Sequence, residues 1–254
     1  MSGVRSSCQG WVMRDLAKRL ILLFGLLGLA WAGPASASLR VDPFVVYIIP
    51  NTPSMSSVVQ LTNVTDVQLP FEVTVVKRTV VDGREVDVPA DDDFVIFPPQ
   101  MIIRAGETQT LRIQWIADHI PTQSDSYYVY VTQVAAQVDP NVTGVRVNYQ
   151  FGISVHVVPP GTEPNFEVAA VRPATNAEGV RGFEIDVRNT GNRFGRMSEH
   201  EMSLDGSHSW DRTALKNAVG TGFVLPGEHK TFFVPFDGPV TASSTVTLAN
   251  RGPA

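Results

Sequence analysis

Five histidines, a run of three aspartates and two Asn-x-Thr triplets are the residues whose types could support chemistry in this chain. The histidines are His119, His156, His200, His208 and His229. A zinc site needs imidazoles or thiolates spaced to converge on one ion. Only His200 and His208 come near such a spacing, in a stretch that reads as a polar loop, and a solvated loop is the stronger reading. Asp91-Asp92-Asp93 lacks the spaced oxygen ligands of a calcium loop. Asn63-Val64-Thr65 and Asn141-Val142-Thr143 match the glycosylation acceptor pattern, which is frequent by chance. No nucleophile elbow, P-loop, dinucleotide fingerprint or H-E-x-x-H occurs. The expectation is therefore no enzyme, no metal and no cofactor.

What remains is the chemistry of the backbone. From Gly144 to Pro159, Val145, Val147, Tyr149, Phe151, Ile153, Val155 and Val157 fall at every second position, with Arg146, Asn148, Gln150, Gly152, Ser154 and His156 between them. Alternation of this kind predicts one long strand with a fully apolar face. About 13 residues would span roughly 43 Å, more than twice a usual strand. One compact sandwich does not easily bury such a face throughout. Either the strand bridges two domains or part of its apolar row is kept for a partner. An apolar edge is an aggregation hazard unless it is covered or used, and one use is β-strand addition to an incomplete sheet.

The start of the chain is a separate element. Arg14, Lys18 and Arg19 precede the apolar run Leu20 to Trp31, and Ala35-Ser36-Ala37 fits a cleavage site. Residues 1–37 are read as a secretory signal peptide, since the run is too short to span a bilayer comfortably. They carry four basic residues and one acidic residue, so the mature chain keeps 16 basic and 24 acidic residues and a formal net charge of −8. That balance argues against a nucleic-acid partner. The single cysteine, Cys8, lies within the signal, so no disulfide staples the mature protein. No second apolar run reaches membrane-spanning length, and a soluble, exported protein, not embedded in a membrane, is expected.

Leu39 to Ile49 reads as a strand with Pro43 at an edge or bulge. Strands follow at Ser57–Thr62, Leu69–Val80, Arg84–Val88 behind an Asp82-Gly83 turn, Phe94–Phe97, Thr108–Trp115 and Tyr127–Val134. No helical period interrupts them, which predicts an antiparallel sandwich over residues 38–158. Pro159 to Pro164 reads as an interdomain hinge over residues 159–164. Residues 165–254 repeat the earlier chemistry. Leu61-Thr62-Asn63 has its counterpart in the strand ending at Asn189. Arg104-Ala105-Gly106-Glu107 leads into one strand as Leu225-Pro226-Gly227-Glu228 leads into another, with threonines at 110 and 231. Same pieces in the same order predict a second, smaller, related β domain.

Taken together, Gly106 to Ile113, the tyrosine-rich strand 127–134, the strand 144–158 ending at Pro159, and Arg188-Asn189-Thr190-Gly191-Asn192 make the chain resemble the periplasmic pilus-assembly chaperones of bacterial chaperone–usher systems. The resemblance covers essentially the whole mature chain. It implies an all-β fold of two immunoglobulin-like sandwiches set at an angle, as an L or boomerang, with a subunit groove between them. It also implies a periplasmic location, pilin-like subunits and an outer-membrane usher as partners, and a last strand of the first domain that completes a subunit's unfinished sandwich. The donor positions would be Val145, Val147 and Tyr149, with Phe151 and Ile153 following. A free edge of that kind also allows a self-capping dimer. The usual members hold the subunit's terminal carboxylate with an arginine on the first strand and a lysine on the last. Those positions match Val45 and Ser154 here, and an arginine usual before the hinge proline matches Val158. The chain thus resembles a divergent, archaic-type branch, with Arg40 and Arg112 as candidate substitute anchors. Two other readings stay open: a polymerising surface component, or an exported ligand-binding sandwich. Against the first stands the missing cysteine pair. Against the second stand Trp115 and Trp210, far apart in sequence and better placed in cores.

Overall fold

The structure, a computed structural model, describes residues 39–134 and 148–250. The signal segment, Val145 and Val147 lie outside the described residues. The first strands are β1 (Leu39–Asp42), β2 (Val45–Ile48), β3 (Ser56–Asn63), β4 (Leu69–Val81) and β5 (Arg84–Pro89). Then come β6 (Phe94–Phe97), β7 (Gln100–Ile103), β8 (Thr108–Trp115), β9 (Asp125–Gln133) and β10 (Gln150–Val157). One sheet has the order β1-β3-β8-β6; the other runs β2-β10-β9-β4-β5, with β7 also on β4.

Alternation accounts for this packing. Leu111, Ile113 and Trp115 on β8 face Tyr127, Val129 and Val131 on β9 and Ile153, Val155 and Val157 on β10, in a single buried core. Each such side chain contributes roughly 1.5–3 kcal/mol by leaving water. The segment expected as one strand from Leu39 is two. Pro43 has no N–H to give a ladder, and the chain changes sheets there, so β1 and β2 lie on opposite sides of the core. Asp82 and Gly83, with φ of 51° and 78°, close the β4–β5 hairpin as its sequence predicts.

The second core is built on β11 (Phe166–Thr175), β12 (Arg181–Asn189), β13 (Gly195–Arg196), β14 (His200–Leu204), β15 (His208–Trp210), helix α1 (Arg212–Val219), β16 (Phe223–Val224), β17 (His229–Pro235) and β18 (Val246–Asn250). Sheet β11-β12-β17 supplies Phe183, Ile185, Val187 and Val234, and sheet β15-β14-β18 supplies Met202, Leu204 and Val246. Helix α1 adds a fully buried Leu215. The sequence reading had no helix here. Its signals were local: the Asp211 carboxylate accepts from the Ala214 N–H at 2.7 Å, and Gly220 ends the helix at φ 67°. Trp115 lies wholly in the first core and Trp210 packs against the second.

The internal repeat has a structural meaning. Asn63 and Asn189 are both fully buried. Gly106 N–H donates to the Asn63 carbonyl and Asn63 N–H to Glu107; Gly227 and Glu228 do the same with Asn189. The side-chain amides repeat too. Asn63 Nδ2 donates to the carbonyls of Val67 and Ile103, and Asn189 Nδ2 to those of Arg193 and Val224. Each asparagine therefore clips the end of its strand to the Gly-Glu turn. Asn63→Ala or Asn189→Ala leaves several buried groups unpaired and should lower unfolding stability by about 2–3 kcal/mol. A urea midpoint unchanged in both variants would show that these clips carry no stability.

Both sandwiches belong to one compact unit. Residues 159–164, read in sequence as a hinge, are tied down. Thr162, buried, donates to the Pro159 carbonyl at 2.8 Å, and the N–H groups of Asn192 and Arg193 both reach the Glu163 carbonyl. Direct contacts also join the two cores. Ser124 N–H donates to the Asn192 carbonyl, Phe194 N–H to Ser124 Oγ, and His229 N–H to Gly83 at the tip of the β4–β5 hairpin.

Candidate strand-pairing site

Strand β10 is paired unequally. On one side β9 follows it from Gln150 to Val157. On the other, β2 runs parallel to it only from Ser154 to Val157. Ser154 N–H donates to the Phe44 carbonyl at 2.9 Å, away from β9. Strand geometry repeats every two residues, so the Gly152 N–H and C=O point the same way. Among the described residues no strand meets them. Among the described residues, Gln150–Ile153 thus present an open edge ahead of the point where β2 begins.

The side chains along that edge grade from open to enclosed. The rings of Tyr149 and Phe151 stack with centroids 6.2 Å apart. Both are half-buried, and Phe151 rests on the rim of the first core. Ile153 is different: it is fully enclosed in its own core. Its expected place in a lent row is therefore corrected. The alternation in sequence runs on without marking where the domain's own core begins. Val145 and Val147, named with Tyr149 and Phe151 in the sequence reading, lie outside the described residues.

The two candidate anchors are not brought to this edge. Arg40 on β1 and Arg112 on β8 are exposed between buried neighbours, on the outer face of the opposite sheet. Val45 and Ser154, by contrast, are register partners across β2 and β10. Neither carries a charge.

Positive charge gathers one step further along. Tyr47 and His156 are the next outward pair of β2 and β10. The His156 ring lies 4.3 Å from Phe194 and 5.4 Å from Phe223, centroid to centroid. Arg196 donates from Nη2 to the Tyr47 hydroxyl at 2.8 Å and pairs with Glu199. Arg78, almost wholly buried, pairs with Glu85 and stacks between Tyr128 at 4.5 Å and Phe223 at 4.4 Å. Arg193 lies 5.7 Å from the Phe194 ring, and no carboxylate among the described residues pairs with it. Burial, then Arg196, Arg78 and Arg193, push His156 down to about 3, so it is neutral and shares a 2.9 Å hydrogen bond with Ser126 Oγ. Sequence reading missed this cluster because Arg196 and Tyr47 meet across the junction of the two cores. The only local signal was a second arginine closely following the Asn189-Thr190-Gly191-Asn192 stretch.

Residues 41–163 match the family of pili and flagellar-assembly chaperones, PapD N-terminal domain. The match runs through the open edge of β10 and into the pinned linker. Residues 41–163 are a PapD N-terminal domain. Solved structures extend the likeness in fold beyond that domain. The class 5 fimbriae chaperone CfaA shares 16% identity and a TM-score of 0.51, over 85% of this chain and 100% of that one. A chain of the CsuC–CsuE chaperone–tip adhesion subunit complex, from archaic chaperone–usher Csu pili of Acinetobacter baumannii, shares 15% identity and a TM-score of 0.52, over 84% of this chain and 98% of that one. The YadV chaperone shares 14% identity at a TM-score of 0.51, over 84% and 92%. At these identities the likeness is one of fold. No curated protein matches the sequence. Within the PapD N-terminal domain the open edge belongs to the last strand; Arg193 and Arg196 come from the second sandwich, and Arg78 from β4 of the first. No helix among the described residues is long and apolar enough to cross a membrane.

Proposed function

We propose that the chain is a periplasmic chaperone that stabilises pilus subunits by lending them the N-terminal part of its β10 strand and passes them to an outer-membrane usher. The observation that carries this reading is the open edge at Gln150–Ile153, flanked by the half-buried Tyr149 and Phe151. Membership of an assembly-chaperone family over residues 41–163 supports it. The lent row is Val145, Val147, Tyr149 and Phe151, and the two domains are read as 38–158 and 165–254. The test is co-expression with a pilin-like subunit lacking one strand. A soluble one-to-one complex is expected, and persistent subunit aggregation beside folded chain would sink the reading.

A guest strand running along the open edge toward the linker must stop where β2 begins, at Val45. Its terminal carboxylate would then lie about two residues, roughly 7 Å, from Tyr47. Arg196, oriented by the Tyr47 hydroxyl, and Arg193, with no carboxylate partner among the described residues, are cations beside it. They replace the strand-borne charges that Val45 and Ser154 cannot supply. Charge-assisted hydrogen bonds contribute about 1.5–3 kcal/mol, so Arg193→Ala with Arg196→Ala should weaken capture roughly ten- to a hundredfold. The loss should vanish for a subunit whose C-terminus is amidated. Equal loss for both forms would assign these arginines to the junction alone.

A further inference from the structure

On the outward face of β10 the order is Gln150, Gly152, Ser154 and His156. Gly152 lies opposite Tyr130 of β9. The atoms nearest to a Cβ there would be those of the Tyr130 ring at 3.2 Å and the Tyr128 ring at 3.6 Å. Both are side chains able to give a few tenths of an ångström. Compare Gly182 and Gly191, where a Cβ would strike backbone atoms at 2.2 and 2.4 Å. The domain's own packing therefore demands glycine at 182 and 191 but not at 152. A glycine inside a strand weakens it, and it often marks a place where another backbone or side chain approaches closely.

The open edge supplies the approach. Side chains directly opposite one another on paired strands share a face, about 5 Å apart. A guest residue paired with Gly152 would send its side chain over the glycine and onto the tilted Tyr128–Tyr130 pair, whose centroids are 5.5 Å apart. Exposed Val45 borders the same face through its pairing with Ser154. We infer that Gly152, Tyr130 and Tyr128 form a specificity pocket for one bulky apolar or aromatic side chain on the outward face of the guest strand. This rests on the strand-lending reading. It adds that the guest is recognised on both faces, its inward row replacing a missing strand and one outward residue setting preference.

The probes are short strand peptides with valine at every second position, threonine between, lysines at both ends, and one central threonine replaced by Phe, Ala or Asp. Binding to the full chain is read by fluorescence anisotropy. The Phe peptide should bind about tenfold more tightly than the Ala or Asp peptides, the size expected of an aromatic contact with its buried area. Tyr130→Ala should bring the three within about twofold while still binding all of them. Gly152→Ala, which half fills the hollow and keeps the strand, should weaken the Phe peptide most. Equal affinities for wild type, or a Phe preference that survives in Tyr130→Ala, would overturn the pocket and leave strand lending intact. Failure of every peptide to bind folded chain would remove the strand-lending reading and the pocket with it.

Discussion

Val147→Asp together with Tyr149→Asp should abolish capture of a pilin-like subunit while the chain stays folded. The reasoning is a contrast along one strand. Tyr149 is half-buried and precedes the paired part of β10, whereas Ile153 and Val155 are fully enclosed in the first core. A carboxylate placed in the lent row must enter the guest's core, and burying an unpaired charge costs several kcal/mol per site. Two such sites exceed what a complex of ordinary affinity can absorb, so capture should fall at least about a thousandfold. In the free chain the Tyr149→Asp carboxylate takes a half-buried position beside Phe151, outside the enclosed core, and the melting temperature should move by no more than about 3 °C. Ile153→Asp should behave in the opposite way and unfold the first sandwich outright. If Tyr149→Asp unfolded the chain as Ile153→Asp does, the row would be core throughout.

Acid should loosen the junction of the two sandwiches. His156 falls from an ordinary value of 6.5 to about 3 because its ring is buried among aromatics and faces three arginines. The unfolded chain binds the proton below about 6.5 and the folded chain does not, so stability is complete above that value. It is lost progressively as the pH falls toward 3. The loss should reach about 2 kcal/mol at pH 5 and roughly 4–5 kcal/mol near pH 3. His200, also pushed down chiefly by burial, adds in the same direction. His156→Phe keeps a ring against Phe194 and Phe223, and Ser126→Ala removes the hydroxyl that would lose its partner. Unfolding curves at pH 7.5 and 5 should differ less in the double variant than in wild type, by about 2 kcal/mol. Identical pH dependence would mean that His156 is protonated in the folded protein.

The strands and their inward faces were legible because alternation states them directly. Leu111, Ile113 and Trp115, or Phe183, Ile185 and Val187, could hardly fold otherwise. The repeat was legible as well, since Asn63 and Asn189 must each be clipped to a Gly-Glu turn. Three things were not. Pro43 showed a break but not that the chain would cross to the other sheet. Helix α1 is only eight residues long and fully buries Leu215 alone, so it shows barely two turns of period and only its cap and closing glycine mark it. The arginine cluster depends on contacts between residues separated by up to 149 positions, which no spacing rule can reveal. Arg40 and Arg112 drew notice for their charge and strand position. Their neighbours' burial sends both side chains to the outer face of the sheet that does not contain β10.

Residue-resolved amide hydrogen exchange on β10, in dilute free chain and in complex with a pilin-like subunit, tests the central claim most directly. The open edge predicts that Gln150 and Gly152 amides exchange like loop amides in the free chain and become at least about a hundredfold slower in the complex, while Ile153, facing β9, is protected in both. A Gly152 amide already protected in the free chain, or one left unprotected in a complex that nonetheless forms, would contradict it.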